Sequence, residues 1–155
     1  GVTMTFLPDA TLLFEATDGM SGGLNPAKIE LRVEGTLEAD GTNSHPVRLT
    51  SAKASPAPGD WYGILILPQT EAFNVSQVDL GYAYRGVSLL SNDHIVAGSK
   101  IHHCSEAGIY VSGGTPSIEQ MELYDIPEDF KGVPIALITA GILAMGFMGF
   151  AGLGG

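Results

Sequence analysis

Gly63-Ile64-Leu65-Ile66, Gly86-Val87-Ser88-Leu89, Gly108-Ile109-Tyr110-Val111 and Gly132-Val133-Pro134-Ile135 repeat one short phrase along the chain. The four glycines are almost evenly spaced, and branched apolar residues stand one and three places after each. Two columns result: Ile64, Val87, Ile109, Val133 and Ile66, Leu89, Val111, Ile135. A fixed period in the twenties is the signature of a solenoid, in which each repeat buries its apolar face only against its neighbours.

A second strand precedes each of the last three glycine phrases, at residues 78–80, 101–103 and 121–123. Polar turns lie between, at 91–93, 112–116 and 127–129. Strands of about five residues with short connections fit one coil of this period. Upstream the beat is less even. Val2, Met4, Phe6, Thr11 and Leu13 alternate with polar or turn residues, and so do Ile29, Leu31 and Val33. Loops rich in Gly, Asn, Ser and Pro cover 18–26 and 51–60, where the chain needs unusual dihedrals or lacks a ladder donor. The expectation is an all-β parallel β-helix of about five coils, right-handed by the resemblance given below. Residues 1–60 form irregular N-terminal coils, 61–135 regular coils and 136–155 an apolar C-terminal tail.

Composition narrows the function. Only 15% of residues are charged, Gly numbers 21 and Pro 9, and the net charge is −10. Seven Lys and Arg give no basic footprint to displace counterions from phosphates, so nucleic acid is not an expected partner. Cys104 is the single cysteine and forms no intrachain disulfide. The chain opens on Gly1 rather than Met, as a processed or excised protein does.

Three runs carry a resemblance. They are Val33-Glu34-Gly35-Thr36-Leu37-Glu38-Ala39-Asp40-Gly41-Thr42, then His45-Pro46-Val47-Arg48-Leu49-Thr50-Ser51, then Gly59-Asp60-Trp61-Tyr62-Gly63-Ile64. Together with the later coils, they resemble bacterial secreted right-handed parallel β-helix repeat proteins over about residues 3 to 135. The resemblance implies an extracellular or cell-surface location and a non-enzymatic structural role. The chain departs from that family in stopping after about five coils and ending in an apolar tail.

That tail has no charged residue from 132 to 155. Burial of Ile142, Leu143, Met145, Phe147, Met148 and Phe150 is worth about 1.5–3 kcal/mol each, so leaving all six in water forfeits roughly 10 kcal/mol. These six residues are the expected assembly interface. A final coil is due there, one period after 121–123. An open solenoid end pairs with another chain unless it is capped, so a homo-oligomer, filament or sheath is the expected assembly. A membrane anchor through residues 133–153 is the competing reading.

Chemistry is sparse. Asp93-His94 and the run from His102 to Glu106 are the concentrated candidates. Asp79 lies one coil before His102, so a carboxylate orienting a histidine is a possible general base. Strand alternation sends one of His102 and His103 inward, however, and makes a hydrogen-bonded structural histidine the simpler reading. Neither the paired carboxylates of a glycosidase nor a zinc-ligand spacing is singled out. No catalytic residue, cofactor or metal ligand is assigned. Trp61 and Tyr62 are the candidate contacts for a polysaccharide, but in the resembled family this Trp opens the first regular coil, so a core or edge plug is the favoured reading.

Overall fold

The computed structural model describes residues 1–90, 95–112, 117–131 and 143–144. They build a parallel β-solenoid of five coils, three strands to a coil. The first coil is β1 (Thr3–Phe6), β2 (Thr11–Phe14) and β3 (Glu30–Val33). The second is β4 (Thr36–Asp40), β5 (Val47–Ser51) and β6 (Gly63–Ile66), and the third β7 (Ala72–Ser76), β8 (Val78–Gly81) and β9 (Arg85–Leu89). The fourth is β10 (Ile95–Ala97), β11 (Lys100–His102) and β12 (Ala107–Val111), and the fifth β13 (Ser117–Glu119), β14 (Glu122–Tyr124) and β15 (Glu128–Lys131). A short strand, β16 (Leu143–Ala144), follows.

Like strands of successive coils pair in parallel. One sheet runs β2-β5-β8-β11-β14-β16 and a second β3-β6-β9-β12-β15. The third flank is split into β1-β4-β7 and β10-β13. Side chains alternate in and out of a strand. The inward set therefore stacks coil on coil as a continuous core that includes Leu37, Leu49, Ile64, Leu80, Val87, Ile101, Ile109 and Leu123.

The glycine beat has a direct cause. A Cβ at Gly63 would lie 1.6 Å from the Arg85 carbonyl oxygen, and one at Gly86 would lie 2.6 Å from the Gly108 carbonyl oxygen. Each glycine leaves room for the backbone of the next coil. The first column is registered as Ile64, Val87, Ile109 and Phe130, and each step is one residue shorter than the last. The expected fourth member, Val133, is thus displaced by Phe130. The coil is shorter there, and the phenyl ring of Phe130 is buried in the core. The early coils are longer because loops interrupt them: Leu12 registers with Leu49, and Leu49 with Leu80.

Two ladders of left-handed corners flank the long sheet. Gln77, Gly98 and Gln120 have φ of 52°, 61° and 50°; Tyr82, His103 and Asp125 have 64°, 52° and 54°. Successive corners bond through the backbone. The Gln77 N–H donates to the Gly98 carbonyl at 3.1 Å, and the His103 N–H to the Tyr124 carbonyl at 3.2 Å.

The loop before the first glycine phrase is held by Asp60, which is 8% exposed. Its carboxylate accepts from the Ser51 hydroxyl at 2.7 Å, the Ala57 N–H at 2.9 Å and Lys53 Nζ at 3.3 Å. Burial alone would raise its pKa, but these donors outweigh burial and hold it below the usual carboxylate value. A depressed folded pKa contributes stability above the unfolded pKa, near 4, and loses it as the pH falls through the folded value. Asp60→Ala is therefore expected to cost about 2–3 kcal/mol at neutral pH. In urea melts the gap between variant and parent should close as the pH is lowered below about 4.

Candidate functional site

Two polar clusters stand out on the outer surface of the described sheets. The first sits where β8, β11 and β14 reach their left-handed corners. His102 pairs in register with Gly81 on one side and Tyr124 on the other. A Cβ at Gly81 would come within 2.5 Å of the His102 ring, so this glycine makes the seat for the imidazole. Tyr124 stacks on the other ring face, centroids 5.0 Å apart and planes within 8°.

Asp79 and His102 meet as expected, with Asp79 Oδ1 2.8 Å from His102 Nε2. The hydrogen bond from His102, more than any other influence, holds the Asp79 pKa below its usual value. Strand alternation fails at the next residue, and the expectation that one histidine turns inward is corrected. The positive φ of His103 turns its ring back outward, and neither histidine enters the core. His102 Nδ1 and His103 Nδ1 lie 2.8 Å apart, and His103 Nε2 is 3.4 Å from Asp125 Oδ2. Tyr82 stacks on His103 with centroids 5.0 Å apart.

Asp93-His94 lies outside the described residues. Cys104, next in sequence after the histidines, is 1% exposed, and burial pushes its thiol up to about 12, so it is an inert core residue. Among the described residues no group of three or more His, Cys, Asp or Glu side chains converges on a metal position.

The second cluster lies on the neighbouring sheet. Glu106 accepts from Arg85, and Lys131 Nζ is 2.5 Å from its other oxygen. Burial pushes the Glu106 pKa up, but the bonds from Arg85 and Lys131 overcome it and hold the carboxyl at about 2. The Arg85 guanidinium lies 3.9 Å from the Tyr110 ring centre, a cation–π contact. Every charge here has a partner, which is the arrangement of an ion-paired outer face.

Trp61 is placed in the core rather than on the surface. It is fully buried, stacked on Phe14 at 3.9 Å and 2°, and its Nε1 donates to the Gly81 carbonyl at 2.9 Å. Tyr62 is half-buried and packs against Tyr84, centroids 5.4 Å apart. Of the six tail residues expected at an interface, Ile142, Met145, Phe147, Met148 and Phe150 lie outside the described residues. The Leu143 backbone pairs with Glu122 in a parallel ladder. Most of the 133–153 stretch is likewise outside them. Among the described residues no helix is long and apolar enough to cross a membrane.

Sequence reasoning found the Asp79–His102 pair from its one-coil spacing but missed Tyr82, Tyr124 and the corner role of Asp125. A signal was present: Tyr82, His103 and Asp125 recur one coil apart. Their unlike chemistry hid the repeat.

No family model matches the chain, and no solved structure matches it. Among curated proteins the chain is 63% identical over 35 residues to the A subunit of the ion-translocating oxidoreductase complex of Alkalilimnicola ehrlichii. That match covers 23% of this chain and 18% of the relative. The same subunit of Erwinia tasmaniensis is 60% identical over 35 residues, with the same coverage. That of Aeromonas hydrophila is 36% identical over 83 residues, 46% of this chain and 39% of the relative. The chain thus spans less than a fifth of the length of the first two relatives.

These matches overturn three expectations. The likeness to secreted β-helix repeat proteins holds for the solenoid architecture and not for the family. The extracellular structural or filament role, with its surface-anchored and carbohydrate-binding alternatives, is corrected by relatives named for an ion-translocating complex. The extracellular or cell-surface location is corrected on the same ground. Periodicity reports how a chain stacks, and many unrelated activities share one stacking.

Proposed function

We propose that this chain works as a component of a multi-subunit ion-translocating oxidoreductase complex, with residues 1–135 as a solenoid domain and 136–155 as the segment that joins it to the complex. The observation that carries this reading is the 63% identity over 35 residues to one member of such a complex. Ion translocation needs a barrier to cross, so the proteins that perform it carry chain suited to lipid or to a protein interior within lipid. The charge-free run from 132 to 155 is the stretch of this sequence with that character. The ladder between β14 and β16 supports a direct join, because it sets Leu143–Ala144 on the end of the long sheet.

In this reading the acidic solenoid stands in water beside the complex, and the tail is covered by other subunits. Cell fractionation tests it. The full chain is expected in the membrane fraction, resistant to high salt, released by mild detergent and co-purifying with the rest of the complex. Recovery from the soluble fraction or the culture medium, alone, would overturn it.

A further inference from the structure

The cluster at the corners of β8, β11 and β14 contains a run of four titratable side chains in a line: Asp79, His102, His103 and Asp125. Three short gaps separate them, of 2.8, 2.8 and 3.4 Å. Each gap joins two groups that attract only when a proton lies between them. Two neutral imidazoles carry one N–H each, which fills two gaps. A third proton fills all three. A fourth would set two N–H groups head to head across the middle gap.

That middle gap is decisive. The ring centres of His102 and His103 are 5.0 Å apart. This is nearly the greatest separation that their close Nδ1···Nδ1 contact allows. The two nitrogens therefore point at one another, as in a shared-proton bond, and do not converge on a third point as two ligands of one metal would.

We infer that Asp79, His102, His103 and Asp125 form a site for one added proton, held as a single imidazolium shared by two histidines and clamped at each end by a carboxylate. The surrounding groups agree in sign. Tyr124 stacks on His102 and Tyr82 on His103, offering ring faces to a cation. From β5 and β11, Arg48 and Lys100 act on Asp79, and Lys100 is 3.8 Å from Glu122 of β14. Two cations thus face three anions, and the added proton brings the balance to zero. Cys104, held as a neutral thiol, adds no charge.

The site spans three coils, so its proton count couples to their stacking. The filled chain ties the corner of β14 to β11 and β8. Loss of the added proton opens the 3.4 Å gap at Asp125, the most exposed of the four side chains at 63%. Uptake of a further proton breaks the middle bond.

Imidazole nitrogen NMR on the full-length chain in detergent micelles tests this inference. The protein carries ¹⁵N-labelled histidine, and signals are assigned with single His→Gln variants. As the pH is lowered, His102 and His103 are expected to change together in one event that adds a single proton to the pair. In the filled state both Nε2 atoms should be protonated, with one proton shared by the two Nδ1 atoms. Asp125→Asn keeps a residue type that tolerates the left-handed corner, so the fold should persist. The joint event is expected to move to lower pH in that variant. The inference is overturned if the two rings titrate independently, if both become imidazolium while the corner amides stay protected, or if Asp125→Asn leaves the event unmoved.

Discussion

Gly63→Ala is expected to cost more than about 4 kcal/mol, enough to abolish the folded state of a protein of ordinary stability. The residue combines two demands that no side chain meets. Its φ is +116°, a conformation L residues rarely adopt, and its Cβ would lie 1.6 Å from the Arg85 carbonyl oxygen. Relief would need the third coil to move away from the second. The Tyr84 N–H to Trp61 carbonyl bond at 2.7 Å and the Arg85 N–H to Tyr62 carbonyl bond at 3.0 Å hold the coils at that spacing. Gly98→Ala is the control. Gly98 also has a positive φ, of 61°, but the nearest atom to its Cβ position is Gln77 Nε2 at 3.6 Å. Only the conformational penalty applies there, about 1 kcal/mol. Chemical denaturation followed by circular dichroism separates the two. Similar costs for both variants would mean that conformation, and not coil contact, explains the glycine at position 63.

Trp61→Ala is expected to be the most damaging large-to-small change, at about 3–5 kcal/mol. The indole is fully buried, lies flat on Phe14 and satisfies the Gly81 carbonyl. It also stands where the 52–60 loop re-enters the solenoid, and its backbone bridges to Ala83 of the next coil. Removal leaves a cavity, an unpaired ring and an orphaned carbonyl together. Trp61→Phe isolates the polar part, since an aromatic face remains and only the N–H is lost. Its cost should be about 1–2 kcal/mol. Thermal melts by circular dichroism measure both, and a loss below about 1 kcal/mol for Trp61→Ala would remove the residue from the core argument.

The architecture was legible because its cause is repeated. A glycine that admits the next backbone, with apolar residues one and three places on, leaves its mark at Gly63 and Gly86, and the same pattern of residues recurs at Gly108. The mark misleads at Gly132, where the next core position had already been filled by Phe130. An aromatic ring in place of a branched aliphatic hides a coil from a pattern of Ile and Val. The corners were harder still. Left-handed backbone is usually announced by glycine or asparagine, and here tyrosine, histidine and aspartate adopt it. Strand alternation therefore misplaced His103, and the second half of the candidate site went unseen. Trp61 was the easier residue, since an aromatic that opens the first regular coil suits a plug better than a sugar platform, and it is fully buried. Family was least legible, because the relatives match over 35 to 83 residues and the solenoid pattern carries no trace of what they do.

The register of the sheets has a consequence for how the molecule comes apart. Past the second coil, every registered partner of β8, β9, β11 and β12 belongs to the coil directly before or after, so contacts are made with immediate neighbours. Loss of one coil leaves the next largely intact, unlike the collapse of a globular core. Resistance to opening should then form a gradient along the axis. Among the described strands, β1, β2 and β3 are paired on one side only, and Val2, Met4, Leu7 and Leu13 stand exposed on the same coil. The described coils can therefore open one turn at a time, each without the collapse of the rest.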